Sequence, residues 1–437
     1  MRISITMAKK WQNWSGLVQC QPQEILFPTS EEEVVQIVQR AANDKRKIRV
    51  VGSGHSFSPI VATDDILISL DELKGLIEVD KENGEATVWA GTKIKELGNL
   101  LFQEGLAMEN LGDIDVQSIA GATATGTHGT GTGFGNISTQ ITGITLVTGR
   151  GDVLQTSPTE NSHYFKAAQI SLGTLGIITR IRLKLQPAYN LEIKLQKAEF
   201  GETLEKLDSY NANNRNFEFY NFPYSDIVQL RLTNLTDKKP KKNSLLRYFN
   251  DVVVENVVFE GISKINKAFP SWSPSMSKIV AKGSVTTTKI NHSHNIFATV
   301  RWVRFNEMEY NVPMEHYKEI VKIMRKRFDD HRYQVHFPIE NRFVQADDIW
   351  LSPAYERESA YIAIHSYKGM AYEPYFSDME AIFKEFGGRP HWGKMHNRSA
   401  EDFATLYPKW NDFHRVRKEL DPEGMFLNKH LTAIFEG

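Results

Sequence analysis

From residue 121 to residue 133 the chain runs for 13 residues without one bulky apolar side chain: Gly121-Ala122-Thr123-Ala124-Thr125-Gly126-Thr127-His128-Gly129-Thr130-Gly131-Thr132-Gly133. This stretch is small, polar and nearly uncharged, so it cannot pack a core by itself. Strand-like runs flank it, whereas a flexible linker favours Gly and Ser without such neighbours. It suits wrapping a ligand with backbone amides and threonine hydroxyls. The linker reading stays open on composition alone.

A second glycine loop lies upstream. Lys47-Ile48-Arg49-Val50-Val51 reads as a short strand and delivers the chain into Gly52-Ser53-Gly54-His55-Ser56. Glycines let backbone N–H groups approach an anion, and a phosphate or pyrophosphate is the natural guest. The loop is not a Rossmann fingerprint, because the third glycine would fall at Phe57. No Lys-Ser/Thr follows, so it is not a Walker loop either. A tight turn after a strand is the plainer alternative.

Around these loops helix and strand signals alternate. Ser30 and Glu33 form a capping-box pattern ahead of Val34, Ile37, Val38 and Ala41 at helical spacing. Strands are predicted at 66–70, 76–79, 86–90, 141–148 and 177–185, with a hairpin signal at Asn83-Gly84. Ile94, Leu97 and Leu101 predict a helix. Pro187 ends this unit, and a domain boundary is expected there. The second half is richer in aromatics and poorer in glycine. Residues 237–242 are a charge run, read as a solvated loop. Val258, Ile262, Ile265 and Phe269 mark an amphipathic helix, residues 270–277 a loop, and residues 402–420 a further helix.

Composition narrows the function. At 437 residues, two or three domains are expected. The 52 Lys+Arg against 53 Asp+Glu leave a net charge of -1, which argues against a nucleic-acid binder or a polybasic membrane-surface protein. With mean hydropathy -0.39, the chain is globular rather than disordered. Cys20 stands alone, so no internal disulfide, zinc-thiolate cluster or iron–sulfur site is available. No apolar run approaches the ~20 residues of a membrane span, and the first residues lack the apolar core of a signal peptide. A cytoplasmic location is the expectation.

Residues 334–344 are informative. Val335, Phe337, Ile339 and Phe343 share one face of a predicted strand, and Gln334, His336, Glu340 and Arg342 the other. Glu340 and Arg342 project the same way, roughly 7 Å apart, so both can touch one ligand. A surface ion pair is the alternative. Gly388-Arg389-Pro390-His391-Trp392-Gly393-Lys394 has Walker spacing, but Met395 stands where Mg²⁺ coordination needs a hydroxyl and Pro390 lacks an amide. His292/His294 and His391/His396 lack the i,i+4 spacing of a helical zinc site, so no metal is expected. There is no G-x-S-x-G elbow.

Taken together, residues 50–56, 121–131 and 389–394, the Glu340-x-Arg342 pair and Leu420-Asp421-Pro422-x-Gly424-Met425-Phe426-Leu427-Asn428 resemble the aldonolactone oxidases. These are the L-gulono-1,4-lactone and D-arabinono-1,4-lactone oxidases of the vanillyl-alcohol oxidase flavoprotein superfamily. The resemblance runs from about Trp14 to Ile434. It implies an α+β fold: a two-subdomain FAD-binding domain over residues 1–187, then a substrate domain over 188–437 with a large antiparallel sheet. The C-terminal segment is expected to return to the first domain. The resemblance implies FAD attached covalently through His55. Gly52, Ser53, Gly54, Ser56, Ser118, Gly121, Thr125, Gly126, His128 and Ile178 would complete the cofactor site. Glu340 and Arg342 correspond to the family's catalytic pair, and Lys394 to a lysine of related alditol oxidases. Asn341 replaces the usual aliphatic residue between them and is expected to face away from the ligand. Some relatives tether FAD a second time through a cysteine in the second loop; residues 112–135 contain none.

The implied reaction is oxidation of the C2 hydroxyl of a small neutral aldono-1,4-lactone, with molecular oxygen as acceptor and an ascorbate-type product. An alditol or sugar oxidase of the same fold, a lactone dehydrogenase using another acceptor, and a non-catalytic nucleotide- or sugar-binding protein are the alternatives.

Overall fold

A computed structural model describes residues 4–7, 10–240 and 255–437. Lys241 and Lys242 of the charge run lie outside the described residues. Three sheets organise the chain. The first has the order β1-β2-β4-β3, from β1 (Ser4–Met7), β2 (Glu24–Phe27), β3 (Ile48–Val51) and β4 (Ile66–Ser69). β4 runs parallel to both β2 and β3, which requires crossovers. One crossover is helix α1 (Glu31–Asn43). The Ser30 hydroxyl accepts the Glu33 amide, as a capping box requires, at 3.2 Å. The Glu33 carboxylate reaches one residue further back than expected and accepts the Thr29 amide at 2.7 Å. Val34, Ile37, Val38 and Ala41 are all buried, so the helical apolar stripe lies on the sheet.

The second sheet is antiparallel, in the order β8-β7-β9-β6-β5: β5 (Leu76–Asp80), β6 (Glu85–Trp89), β7 (Ile141–Val147), β8 (Val153–Thr156) and β9 (Ile177–Lys184). Gly84 turns the β5–β6 hairpin at φ +60. Helix α2 (Ile94–Gln103) buries Ile94, Leu97 and Leu101, the spacing that predicts it.

The third sheet has eight antiparallel strands in the order β13-β10-β12-β11-β15-β16-β14-β17. They are β10 (Asn190–Glu199), β11 (Asn216–Asn221), β12 (Ile227–Leu235), β13 (Thr287–His292), β14 (Phe305–Pro313), β15 (Ile339–Val344), β16 (Ser359–Tyr367) and β17 (Arg389–Pro390). One face is apolar. Phe217, Phe219, Met308, Ile339, Phe343, Ile362 and Ile364 form a core there with residues of helices at Tyr317–His331 and Glu373–Glu385. Each such fully buried side chain contributes about 1.5–3 kcal/mol.

A separate core joins the first two sheets, and it contains Phe403, Trp410, Phe413, Leu431 and Phe435. The C-terminal segment therefore packs against the N-terminal sheets. Arg49, 2% exposed, holds the join, donating to the carbonyls of Phe426, Leu172 (2.7 Å) and Gly173 (3.0 Å). The Asp421 carboxylate accepts the amides of Met425 and Phe426 at 2.8 and 2.9 Å, closing the turn of the C-terminal motif.

Four local expectations need correction. Residues 270–277 are not a loop: a 3₁₀ turn, Pro270–Trp272, leads into a helix at Ser273–Gly283, with Pro274 in its first turn where a missing amide costs nothing. The helix of Val258 and Ile265 exists, at Glu255–Ala268, but Val258, Ile265 and Phe269 are exposed. The C-terminal helix is two, Ala400–Leu406 and Trp410–Leu420, because Pro408 interrupts it. The strand read over 334–344 begins only at Ile339, since Pro338 offers no ladder amide. His336 therefore leaves the Glu340 face and is buried between Ser263 and Asn266, bonded to each at 2.9 Å.

Candidate active site

β3 ends at Val51 and releases residues 52–56 over a groove. A Cβ at Gly52 would sit 2.2 Å from Ser118 Oγ, so a larger residue there must displace that hydroxyl. Gly54 has φ +65, the left-handed region. Among the described residues, the amides of Ser53, Gly54, His55 and Ser56 donate to no protein acceptor. Four consecutive unpaired amides on a loop are a cradle for an anion, and they fit the pyrophosphate of a dinucleotide. Ser53 Oγ donates to the Val116 carbonyl, and the Trp14 ring stacks on the His55 imidazole at 5.4 Å, fixing the loop.

The second glycine stretch is not all loop. Helix α3 (Ile119–Ala124) begins at N-cap Ser118, whose hydroxyl accepts the Gly121 amide at 3.3 Å. Small side chains here allow the helix to pass close to residue 52. A narrow cleft of about 110 Å³ is lined by residues 52–56 together with Ser118, Gly121, Thr125 and Ile178. It shares Ser53, His55, Ser56 and Thr125 with a larger cavity of about 560 Å³. The two form one elongated groove, which suits a long cofactor with a reacting end beside a substrate. His128, Glu340, Arg342 and Lys394 line the larger part. Gly126 lines neither part; at φ +70 it turns the chain behind the groove.

The floor of the cavity is the polar face of the third sheet. Period-two alternation on four strands brings Glu218 and Tyr220 (β11), Glu340 and Arg342 (β15), His365 (β16), and Glu307 and Glu309 (β14) to one side. Arg342 Nη2 donates to Glu340 Oε1 at 2.6 Å, and its Nε donates to Glu218 at 2.9 Å. The Tyr220 hydroxyl also donates to Glu340 Oε1, at 2.7 Å. Asp113, from the loop before α3, accepts from Arg301 and lies 3.3 Å from Arg342. Lys394 Nζ is 2.6 Å from Glu307 Oε2 and 5.1 Å from the Phe57 ring. His365, on the next strand, lies 3.4 Å from Glu307.

These charges shape one another. Burial raises the Glu340 pKa against the pull of Arg342. Burial works against the charge on Arg342, but the carboxylates of Glu340, Asp113 and Glu218 outweigh it and keep the guanidinium well above its ordinary value. Asp113 is held well below the usual range: burial opposes this, and Arg301 and Arg342 overcome it. Burial, then the charge of Lys394, lowers His55 to about 4, so its ring is neutral at pH 7.

His128, Glu309 and His391 bring ligand-type atoms within 4.8 Å of one another, a trio that linear spacing of histidines did not anticipate. Their hydrogen bonds already engage them. His128 Nδ1 lies 2.8 Å from the Gly129 carbonyl and its Nε2 3.2 Å from Glu309, so the ring faces an acceptor on each side. His391 Nδ1 accepts the Gly393 amide at 3.0 Å. The His128 ring also stacks on Tyr361 at 3.5 Å.

Sequence reasoning missed Glu218, Tyr220, Glu307 and Glu309. Alternation on their strands is the signal that finds them once those strands are known. Asp113 and Arg301 lie in irregular segments, where no periodicity marks them.

Comparison with known proteins adds to this geometry. The family model described as D-arabinono-1,4-lactone oxidase matches residues 181–434, and an FAD binding domain model matches residues 22–157. The L-gulono-1,4-lactone dehydrogenase of Mycobacterium tuberculosis is 40% identical over 435 residues, covering 98% of this chain and 99% of the relative. The L-gulonolactone oxidase of Mus musculus is 33% identical over 438 residues, covering 98% of both. Among solved structures, the cholesterol oxidase of Brevibacterium sterolicum superposes with a TM-score of 0.85 at 16% identity, over 99% of this chain and 97% of that one, a likeness of fold. No described helix is long and apolar enough to cross a membrane.

Proposed function

The chain belongs to the D-arabinono-1,4-lactone oxidase family of FAD-dependent oxidoreductases, and on that premise we propose that it oxidises the C2 hydroxyl of an aldono-1,4-lactone, with O₂ as electron acceptor and hydrogen peroxide as product. The observation that carries the reading is the Glu340–Arg342 pair, 2.6 Å apart, lining a cavity continuous with the glycine-loop groove.

Bound FAD supplies the hydride acceptor at its N5. The amides of residues 53–56 would hold the pyrophosphate, with Gly52, Ser118, Gly121, Thr125 and Ile178 around them and Gly126 setting the turn behind. His55 would be the covalent anchor. Its neutral ring supports that role, because a protonated imidazole has no free lone pair to bond through.

Glu340 would take the proton of the substrate hydroxyl. Both protein hydrogen bonds to its carboxylate land on Oε1, which leaves Oε2 for the substrate. A carboxylate of raised pKa is a stronger base toward a weakly acidic hydroxyl. Arg342 would polarise the reacting oxygen and hold negative charge on the cofactor side. Lys394, fixed by Glu307, would add a second positive charge near His55. His128 would form the wall between the cofactor and the sheet. Cofactor binding is assigned to residues 1–187 and substrate binding to 188–437, with the C-terminal segment returning to the first core.

A second reading, favoured by the name of the 40% identical relative, keeps the lactone but passes the electrons to an acceptor other than O₂. Anaerobic flavin reduction across a panel of lactones and alditols, followed by admission of air and a peroxide assay, separates these. Reduction by lactones with peroxide release is the expected result. Reduction without peroxide favours the second reading. Reduction by alditols alone, or by no member of the panel, overturns the lactone assignment.

A further inference from the structure

We propose that Arg301 recognises the lactone carbonyl beside the hydroxyl held by Glu340, and so selects lactones over ring compounds that lack that carbonyl; the inference rests on the lactone-oxidising reading above. Arg301 lies in an irregular strap between the short helix Ser293–Phe297 and β14. Val300 and Trp302 on either side are 44% and 48% exposed, while Arg301 turns inward and lines the large cavity. The strap is tied down at three points. The Thr299 amide donates to the Asp113 carbonyl at 2.8 Å, the Trp302 amide to Asn256 Oδ1 at 3.0 Å, and Asn256 Nδ2 to the Val300 carbonyl at 3.2 Å.

The guanidinium is oriented as firmly. Its Nη2 donates to the Asp113 carboxylate, and the Phe305 ring lies 5.8 Å from its central carbon. Among the described residues its Nε and Nη1 have no protein acceptor, and neither atom is sealed from the cavity. Two donors, on separate edges of one planar group, therefore remain for a ligand.

What lies next to the guanidinium decides the ligand. Arg301 Nη2 is 3.9 Å from Glu340 Oε2, the carboxylate oxygen with no hydrogen bond. That is too long for a hydrogen bond. The site thus offers an acceptor-only oxygen beside a donor-only guanidinium, with a gap between them. A 2-hydroxy lactone is the complement: adjacent carbons carry a hydroxyl with a proton to give and a carbonyl that can only accept. Glu340 Oε2 takes the first and the Arg301 guanidinium the second. Arg342 approaches from the other side, where its Nε and Nη2 engage Glu218, Glu340 Oε1 and Asp113.

The test compares an aldono-1,4-lactone with the matching 1,4-anhydroalditol, which keeps the ring and hydroxyls but has no carbonyl. Their dissociation constants are read from anaerobic flavin reduction; a compound that does not reduce the flavin is read as an inhibitor of the one that does. In Arg301→Met the lactone is expected to bind about 10- to 100-fold more weakly, the range for a lost charged hydrogen bond, with the anhydroalditol nearly unchanged. If Arg301→Met does not load flavin, Arg301→Lys, which keeps a charge opposite Asp113 but not the guanidinium's further donors, carries the same comparison. Equal losses for both compounds, or a lactone-to-anhydroalditol ratio that stays the same, overturn the role of Arg301. A wild-type flavin that no lactone reduces overturns the lactone reading itself, and the two failures are distinct.

Discussion

Arg342 donates to Glu340 at 2.6 Å across one intervening residue of the same strand, and both side chains face the cavity rather than solvent. The pair is buried, held from β11 by Glu218 and Tyr220 and from a distant loop by Asp113. A surface ion pair contributes little, whereas removing one partner of a buried pair leaves an uncompensated charge.

Glu340→Gln keeps the shape of the side chain and removes its ability to take a proton. Flavin content is expected to stay normal while anaerobic flavin reduction slows by about 10²–10⁴-fold. Arg342→Met should slow reduction as well. Reduction at the wild-type rate in both variants removes the pair from the chemistry.

His55→Ala tests the tether. The variant should fold and still take up FAD, because the amide cradle is intact, but the yellow colour should no longer stay with acid-precipitated polypeptide. Colour retained in the precipitate would place the link elsewhere.

Gly52→Ala tests the cradle. Its new Cβ would lie 2.2 Å from Ser118 Oγ, so the N-capping hydroxyl, the loop or the start of α3 must shift. Flavin loading is expected to fall sharply, with near-native secondary structure by circular dichroism. Full loading would mean the close approach of residue 52 to Ser118 is not needed.

Asn341 sits between Glu340 and Arg342 and faces the opposite side, fully buried. It accepts the Tyr317 hydroxyl at 2.9 Å and donates to Asn221 at 2.8 Å. Asn341→Leu should cost about 1–3 kcal/mol in stability by leaving the Tyr317 hydroxyl unpaired. Denaturant unfolding measures that cost. The rate of flavin reduction should barely change, and a large loss of rate would show that this face is coupled to the site.

Stability should fall in mild acid. Burial lowers His336 and His430 to about 4, and His391 and His396 to about 3, from 6.5. Below 6.5 the unfolded chain binds protons that the folded chain does not, so stability rises with pH across that window and is lost as pH falls through it. The thermal midpoint of the protein is expected to be steady between pH 7 and 8 and to drop steadily from about pH 6.5 towards 4. A flat midpoint over that range would contradict the buried, neutral state of these rings.

Much of the site is legible in the chain because local rules carry it. Residues 52–56 follow a strand and use glycine where a Cβ has no room. Glu340 and Arg342 share a face because strands alternate with period two, and Asn341 falls on the other face by the same rule. The reading fails at His336 for an equally local reason, since Pro338 ends the strand before it. Asp113 and Arg301 are different. They are 188 residues apart and lie in segments without period, yet their side chains form one ion pair.

The sequence by itself determined a small set of possibilities: two glycine-rich stretches suited to holding a ligand, one strand with an acid and a base on a shared face, and no second-loop cysteine for another tether. Local sterics and pleat geometry are enough for that. Only the tertiary structure decided that the loop of residue 55 and the strand of residue 340 open onto one groove, and that Asp113 and Arg301 complete it. Those positions depend on strand order in an eight-stranded sheet and on how that sheet packs against the glycine loops. Such long-range contacts are selected by the burial of whole faces, and no short window of residues encodes them.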